Sequence, residues 1–462
     1  MSKRVHRDGH GSSVWRAGRE IVYQIFPDRW RRSKSSPEVL PRGRRWRGRP
    51  VIVTSNARLL GSRRNGQRTF YGGDLQGITD SLDYLSSLGV TILYLNPIFE
   101  GRSCHRYDTV DHLRIDPMLG TREDFEVLCR EAKSRGMKIV LDGVFNHTSL
   151  DHPWYRSSSL RRRYYLMKNE TETMTWMNGG GLPKLDTENP RVLSAIRKTI
   201  EAWPEADGWR LDAAHLLPER CLREIRGAAG TRKIVIEDWE HSAHYFRKGL
   251  ADSVTNFLFR DAMERYFIED LAPETLVERL RVWIEGYPRA QLPWVWNFLD
   301  NHDTARLLGR VGRERFFRAA VFLFTLPGTP MVFHGDEVGL GGGGARKNHD
   351  AGRQVMPWNE RWWDRGILEH FRALASFRKR FGPATRGRFR VLAAENGSRT
   401  VVWEMEWGGY RIYSAVNDGY RGSRVPGMDG RRVRLKPGEW IVRGEDREGE
   451  MRLGSEQISY ST

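Results

Sequence analysis

The stretch GWRLDAAH at residues 208–215 places an arginine and an aspartate at the end of a short apolar run. Arg210 and Asp212 are two residues apart, so on a β-strand both side chains point to the same side. Other apolar runs also end in acids, amides or histidines. These are LYLNP (93–97), DGVFNH (142–147), IVIED (234–238), NFLDNHD (297–303) and FHGDE (333–337). The repeated pattern predicts several strands that end at one shared, polar edge.

Helix-compatible stretches separate these runs, and such alternation predicts parallel strands joined by helical crossovers. Eight strands of this kind predict a (β/α)₈ TIM barrel, in which the carboxyl ends of the strands converge on one mouth that carries the active site. The predicted strands are Ile21–Phe26, Thr91–Asn96, Lys138–Val144, Gly208–Asp212, Lys233–Glu237, Asp252–Asn256, Trp294–Leu299 and Met331–His334.

Helix signals support the same fold. Residues 121–135 begin with a capping box of Thr121 and Asp124, and Gly136 ends this helix. Residues 77–89 carry leucines at helical spacing, and we predict one helix there. Residues 368–381 are predicted to form the last helix of the barrel.

The chain divides into unequal parts. We predict a flexible tail at 1–19 and a catalytic barrel at 20–384. The barrel includes a small excursion domain at about 147–188, after strand three. From 385 to 462, short alternating strands broken by Gly, Asn and Asp predict a separate all-β domain, an antiparallel β-sandwich.

The net charge of +18 is concentrated in one segment. Residues 29–68 hold thirteen Lys and Arg against one acid, Glu38, a balance of +12. The segment is also rich in Gly, Pro and Ser, so we read it as a solvated basic insertion in a loop. Contact with a partner chain, an anionic surface or nucleic acid is the alternative, but no other part of the chain resembles a nucleic-acid module.

Composition excludes several classes of protein. Hydrophobic residues make up 39% of the chain, which excludes a largely disordered protein. No apolar run reaches the roughly 20 residues of a membrane span, and the N-terminus lacks the apolar stretch of a signal peptide. We therefore expect a cytoplasmic protein without a membrane partner. Cys104, Cys129 and Cys221 follow no metal-ligand or disulfide pattern. Cys104 falls near the candidate site, and we expect it to be a buried thiol.

The acids at the strand ends suit glycoside cleavage, which needs one ionised carboxylate and one protonated carboxyl group. Arg210 is placed to keep Asp212 ionised, as a nucleophile requires. Glu237 follows the apolar run 234–236, which suits a group that must hold its proton. Asp303 is a candidate for stabilising the transition state. From chemistry alone Asp142, Asp238 and Asp300 compete for these roles.

The motifs at these strand ends resemble those of a known family. The chain is similar to the α-amylase family of glycoside hydrolases (glycoside hydrolase family 13), within its neopullulanase, cyclomaltodextrinase and maltogenic amylase branch. The similarity extends from about Val22 to Trp358, and more loosely to the end. It is carried by VYQIFPDRW (22–30), FYGGDLQG (70–77), HRYDTVDHLRIDPMLGT (105–121), LPKLD (182–186), HGDEVGL (334–340) and, in family order, DGVFNH, GWRLDAAH, IVIEDW and FLDNHD.

The resemblance implies a role for each matched residue. Asp212 matches the nucleophile, Glu237 the general acid/base, Asp303 the transition-state stabiliser and Arg210 the arginine that orients the nucleophile. The resemblance also implies a set of sugar contacts. They are His147 and His302 as hydrogen-bonding residues, Tyr107 as an aromatic platform, Trp239 as a residue that stacks on the leaving-group sugar or packs in the core, and Asp350 with Arg353 as the late Asp–Arg pair, here one residue closer together than in the family. Asp142 is expected to be structural.

Departures from the family pattern concern the surroundings of these acids. Ile236 stands where the family has glycine, and we expect it to crowd or dry the surroundings of Glu237. His215 and Leu216 replace an Asn-Glu pair that faces leaving-group sugars.

The branch's calcium loop is missing after strand one, so we predict no metal and no cofactor there. A calcium site near Asn146 stays open. With the barrel starting near residue 20, we do not expect the dimer that the branch builds with its N-terminal β domain, and the oligomeric state is open.

The resemblance implies a retaining hydrolase of α-glucosidic bonds, with maltodextrins, cyclodextrins or pullulan as substrates and therefore an α-glucan oligosaccharide as partner. Two alternatives remain. One is an α-glucan transferase or trehalose-forming isomerase with the same active site. The other is an inactive homologue that binds carbohydrate or acts as a scaffold. Linkage preference and chain length are open.

Overall fold

The structure is a computed structural model that describes residues 14–34, 66–178, 181–342 and 352–455, together with the backbone of short strands at 45–46, 49–50 and 52–53. Most of the basic segment 29–68 lies outside the described residues.

Eight parallel strands close into a barrel, as the alternation of apolar runs predicts. Each strand pairs with its neighbours in chain order, and β1 pairs with both β2 and β8 to complete the circle. The barrel strands are β1 (Val22–Ile25), β2 (Ile92–Leu95), β3 (Lys138–Gly143), β4 (Gly208–Leu211), β5 (Lys233–Asp238), β6 (Ser253–Asn256), β7 (Trp296–Phe298) and β8 (Thr329–Phe333). The predicted TIM barrel is confirmed.

Side chains of alternate residues fill the barrel interior and the layer between strands and helices. On β5, Val235 belongs to the interior cluster, whereas Ile234 and Ile236 belong to the outer cluster under the helices. Glu237 is two residues from Val235, so its side chain is on the inner side. Ile236 therefore points away from the mouth, and the expectation that it crowds Glu237 is wrong.

The described helices surround the barrel. Their bounds are α1 (Leu75–Thr79), α2 (Leu82–Ser87), α3 (Arg122–Ser134), α4 (Pro153–Arg156), α5 (Ser158–Tyr164), α6 (Pro190–Ala202), α7 (Glu219–Ala229), α8 (Ala243–Arg247), α9 (Phe257–Ile268), α10 (Pro273–Gly286), α11 (Leu308–Thr325) and α12 (Arg365–Phe381). The capping box of Thr121 and Asp124 on α3 is confirmed. None of the described helices has the length and low charge needed to cross a bilayer.

The single helix predicted over 77–89 is wrong, because two short helices replace it. Asp74 caps α1 by accepting a hydrogen bond from the Gly77 N–H, before the predicted start. Ser81 then leaves helical geometry, with φ −110° and ψ 2°, and its hydroxyl donates to the Gly77 carbonyl. A side chain that bonds the preceding turn competes with the continuing helix and ends α1 there.

The long connection after β3 contains α4, α5 and a small set of isolated bridges. His147 pairs with Lys184, and Tyr165 pairs with Leu185. The segment thus leaves the barrel mouth and returns to it beside His147.

The C-terminal strands form an antiparallel sheet of five strands in the order β9-β10-β11-β14-β15, with β12 and β13 in a second, two-stranded sheet. Their bounds are β9 (Arg390–Glu395), β10 (Thr400–Trp407), β11 (Tyr410–Asn417), β12 (Ser423–Pro426), β13 (Arg432–Leu435), β14 (Trp440–Asp446) and β15 (Gly449–Gly454). Trp403 stacks on Phe322 of α11 with ring centroids 4.6 Å apart, so the sheet packs against the barrel.

Candidate active site

Three acids meet at the carboxyl ends of the barrel strands. Asp212 directly follows β4, Glu237 lies near the end of β5, and Asp303 lies in the loop after β7. Asp212 and Glu237 are 8% and 5% exposed. Asp303 is more accessible, with 31% of its side chain exposed. The barrel thus brings together acids that are far apart in the sequence.

Arg210 joins the acids of β3, β4 and β5. Its Nη1 donates to Asp142 Oδ1 at 2.8 Å and to Asp212 Oδ1 at 3.0 Å. Its Nη2 forms an ion pair with Glu237 Oε1 at 2.9 Å. The other oxygen of Glu237 accepts the Ala213 N–H at 2.7 Å. One buried guanidinium therefore sets the positions of three carboxyl groups.

Electrostatics favour a retained proton among these acids. Burial first, and then the negative charge of Glu237, hold the pKa of Asp212 well above its ordinary value, although Arg210 acts in the opposite direction. The Asp212–Glu237 pair therefore keeps a proton to a higher pH than an isolated carboxyl would. A site that cleaves a glycosidic bond needs such a mixed protonation state.

Asp303 has the opposite character. Burial raises the pKa of its carboxyl, but the neighbouring His302 and Arg353 outweigh burial and hold the pKa well below its ordinary value. Its Oδ2 lies 3.0 Å from His302 Nε2, and its Oδ1 accepts from Arg353 Nη2 at 2.9 Å. Arg353 also donates to the His302 carbonyl at 2.6 Å. Asp303 is therefore an ionised carboxylate at neutral pH.

Tyr107 lies against His302 at the floor of the site. The two rings are stacked, with centroids 5.3 Å apart and planes 9° from parallel. The Tyr107 hydroxyl donates to Asp142 Oδ2 and is 2.7 Å from both that oxygen and His302 Nε2. Asp142 therefore accepts hydrogen bonds from both Tyr107 and Arg210, and in this way it connects the two side chains.

His147 lies at the edge of the same site. Its Nε2 is 3.1 Å from the Tyr107 carbonyl oxygen, and Asn146 Nδ2 is 3.2 Å from its Nδ1. Burial lowers the pKa of His147 to about 4, so the ring is neutral at physiological pH. Trp176 of the excursion segment packs beside it, with ring centroids 6.0 Å apart.

Trp239 follows Glu237 by two residues and is 51% exposed, which leaves its ring available to a ligand. It also contacts Phe257, with ring centroids 5.6 Å apart, so the ring packs against the first residue of α9 as well. His215 is exposed beyond Asp212. Asp350 lies outside the described residues.

The two remaining competitors have other partners. Asp238 accepts from the Glu240 N–H and the Ser242 hydroxyl, so it stabilises the loop after β5. Asp300 accepts the Leu307 N–H, and burial raises its pKa to about 6. Neither contacts Arg210 in the described contacts.

Sequence reasoning assigned no site role to three residues, although it placed Asn96 at a polar strand end. Gln24 of β1, Tyr94 of β2 and Asn96 after β2 are all buried and bond directly to Asp142, Tyr107 or His302. The available signal was a polar residue on the inner face of an otherwise apolar strand, at Gln24 and Tyr94. A buried polar group of this kind requires a partner inside the barrel.

The polar residues at the two family calcium positions have protein partners. Asp74 is used as the cap of α1 and accepts the Ser33 N–H at 3.2 Å. The amide nitrogen of Asn146 lies 3.2 Å from His147 Nδ1. Within the described ranges no group of three or more His, Cys, Asp or Glu is arranged to hold a metal ion, whereas calcium takes 6–8 oxygens.

A barrel mouth with two buried carboxyl groups on one arginine, and a third ionised acid nearby, has the acids that a glycoside hydrolase requires. Comparison with known proteins agrees with this class. Residues 24–366 match the model of the alpha-amylase family, described as the alpha amylase catalytic domain. The chain belongs to the alpha-amylase family of glycosidases, which hydrolyse α-glucosidic bonds. The family identified by resemblance is confirmed.

Two curated relatives and one solved structure resemble this chain over most of its length. The cyclomaltodextrinase of Geobacillus thermopakistaniensis is 31% identical over 91% of this chain and 72% of its own length. Neopullulanase 2 of Thermoactinomyces vulgaris is 34% identical over 85% of this chain and 68% of its own. The ligand-free cyclic α-maltosyl-(1→6)-maltose hydrolase of Arthrobacter globiformis superposes with a TM-score of 0.79 at 30% identity, covering 95% of this chain and 98% of that one.

Proposed function

We propose that this glycosidase cleaves α-glucosidic bonds with retention of configuration, by double displacement at Asp212. The observation that carries the proposal is the shared contact of Asp212 and Glu237 with Arg210, beside the ionised Asp303. This arrangement supplies one nucleophile, one proton donor and one stabilising charge around a single sugar.

In the first step, an Asp212 oxygen forms a bond to the anomeric carbon while the bond to the leaving oxygen breaks. Glu237 gives its proton to that oxygen, so the leaving sugar departs as a neutral alcohol. In the second step, Glu237 removes a proton from water, the water oxygen bonds to the anomeric carbon, and the carboxylate of Asp212 is released. Glu237 regains its proton, and the product has the configuration of the substrate.

The remaining site residues are proposed to bind or position the sugar. We propose that Tyr107 forms a platform beneath the ring, and that His147 and His302 bond its hydroxyl groups. Arg353 holds Asp303 in place through the contact at 2.9 Å. Trp239 stacks on the leaving-group sugar, since half of its surface is exposed beside the acid. Asp350 is proposed as a further sugar contact on the family pattern alone.

Maltodextrins, cyclodextrins and pullulan are the proposed substrates. The cyclomaltodextrinase and neopullulanase relatives support the last two. Cyclic α-maltosyl-(1→6)-maltose is a further candidate, because the structural neighbour from Arthrobacter globiformis is a hydrolase of that sugar.

The test is a panel of maltotriose, β-cyclodextrin, pullulan and starch, with products resolved by chromatography and the first product examined by ¹H NMR. We expect shorter sugars that appear first as the α anomer. A β anomer would contradict retention. Products longer than maltotriose would indicate the transferase alternative, and no turnover of any substrate by folded protein would favour the inactive homologue.

We also propose the division of the chain into a barrel at 20–384 and a C-terminal domain at 385–462. The bounds of the last barrel helix at Phe381 and of the first C-terminal strand at Arg390 support it. The cytoplasmic location and the absence of a nucleic-acid partner stay predictions.

A further inference from the structure

A directed chain of hydrogen bonds runs from Asp142 to His302 through three side chains. It begins at Tyr107, whose hydroxyl donates its single proton to Asp142 Oδ2 at 2.7 Å. That hydroxyl therefore acts as an acceptor toward Asn96, whose Nδ2 donates to it at 2.9 Å. With its nitrogen committed to Tyr107, Asn96 presents its oxygen to Gln24, whose Nε2 donates to it at 3.0 Å.

The last bond of the chain reaches His302. The amide of Gln24 has a second N–H, and its Nε2 lies 2.8 Å from His302 Nδ1. An amide nitrogen is only a donor, so Nδ1 must accept, and the ring proton must be on Nε2. That nitrogen faces the site, 2.7 Å from the Tyr107 hydroxyl and 3.0 Å from Asp303 Oδ2.

The opposite orientation of the Gln24 amide would break the chain. It would place Gln24 Oε1 against Asn96 Oδ1, and two acceptors repel. Turning Asn96 as well would draw the Tyr107 proton away from Asp142, a carboxylate already paired with Arg210 at 2.8 Å. The orientation in the structure leaves Gln24 Oε1 buried without a hydrogen-bond partner among the described residues, so a polar atom is left unsatisfied to keep the donor on His302.

We propose that Gln24, held by Asn96, is a positioning residue that fixes the proton of His302 on Nε2 and directs it toward the sugar-binding side. The inference rests on the proposed function of His302 as a sugar contact. It adds the reason why His302 is a hydrogen-bond donor there, and it assigns a role to a residue of β1 that contacts none of the three acids in the described contacts.

The Gln24→Glu variant tests the proposal. A carboxylate has nearly the shape of the amide but cannot donate, so it accepts a hydrogen bond from a protonated Nδ1 and reverses the polarity of the last bond. We expect kcat on maltotriose to fall about 10- to 100-fold, with a smaller change in KM, as for other lost orienting contacts. The kcat of Gln24→Met should fall less than that of Gln24→Glu, because methionine neither donates nor accepts and so imposes no wrong tautomer on His302.

Two controls separate positioning from loss of structure. Asn297→Asp makes the same chemical change at a buried barrel amide, which bonds Asn256 at 2.8 Å and the Pro327 carbonyl at 2.7 Å rather than His302. We expect it to lower thermal stability while keeping kcat. Side-chain ¹⁵N NMR of histidine-labelled protein, with His302 assigned through His302→Gln, reports which ring nitrogen carries the proton without any need for turnover.

Unprotonated Nδ1 in the natural protein and protonated Nδ1 in Gln24→Glu would support the proposal. Protonated Nδ1 in the natural protein, an unchanged tautomer in Gln24→Glu, or an equal loss of kcat in Asn297→Asp would overturn it. A protein that hydrolyses no α-glucan but has the expected tautomers would refute the proposed function and leave the role of Gln24 in fixing the tautomer supported.

Discussion

Replacing Arg210 with methionine removes the cation that three buried carboxyl groups share. Its contacts to Asp142, Asp212 and Glu237 are 2.8, 3.0 and 2.9 Å long, and its side chain is only 2% exposed. At about 1.5–3 kcal/mol for each hydrogen bond to a charged group, the three contacts sum to an upper limit of about 5–9 kcal/mol. Carboxyl groups that lose their partner can take up protons, so the measured cost for a broken buried pair is about 3–5 kcal/mol.

The loss of the three Arg210 contacts should lower kcat/KM and change its dependence on pH. If about 3–5 kcal/mol of the stabilisation acts in the transition state, kcat/KM falls about 10²- to 10⁴-fold, at about 1.4 kcal/mol for each factor of ten. Arg210 lowers the pKa of Asp212, so its removal raises that pKa further. Because the nucleophile must be ionised, activity increases as pH rises through this pKa. The acidic limb of the profile should therefore move to higher pH.

The assay is kcat/KM on maltotriose between pH 4 and pH 9, with thermal unfolding of each variant. Arg378→Met is the matched control, since Arg378 is also fully buried but donates to the carbonyls of Gly18, Phe324 and Leu326. We expect the control to lose stability and keep the natural pH profile. A folded Arg210→Met variant with an unchanged acidic limb, or a loss below tenfold, would refute the reasoning.

Three further outcomes are expected. Glu237→Gln should lower kcat about 10²- to 10⁴-fold because no proton reaches the leaving oxygen; steady-state kinetics with the exposed Glu240→Gln as control measures this, and a fully active Glu237→Gln enzyme would remove Glu237 from the acid role. Trp239→Ala should raise KM for β-cyclodextrin more than it lowers kcat, whereas Trp407→Ala, an exposed tryptophan of the C-terminal sheet, should change neither; equal effects of the two would argue against stacking at Trp239. In a crystal structure the carboxyl groups of Asp212 and Glu237 should lie about 5–5.5 Å apart, and a separation near 9 Å would point to an inverting enzyme.

The sequence by itself determined the barrel and the presence of several acids at its mouth. Both depend on local signals. A strand has a side-chain period of two, so Arg210 and Asp212 share a face wherever that strand is placed. Polar residues at the ends of successive apolar runs then reach one mouth once parallel strands close into a barrel, because all strands end on the same side.

Only the tertiary structure decided which of the residues at the strand ends face the site and contact Arg210. Asp142, Asp238 and Asp300 each follow a strand and look alike in sequence, but the described contacts place only Asp142 on Arg210. Likewise Ile236 is the sequence neighbour of Glu237, yet its side chain belongs to the outer layer.

Long-range hydrogen bonds are the part that no local pattern could give. Gln24 lies 72 positions from Asn96 and 278 positions from His302, and nothing in the sequence near any of them indicates the others. The direction of each bond depends on the partner of the next residue, back to the Asp142 carboxylate. Donor and acceptor roles inside the barrel are therefore set by the network as a whole, which exists only when the barrel brings β1, β2 and β3 together with the loop after β7.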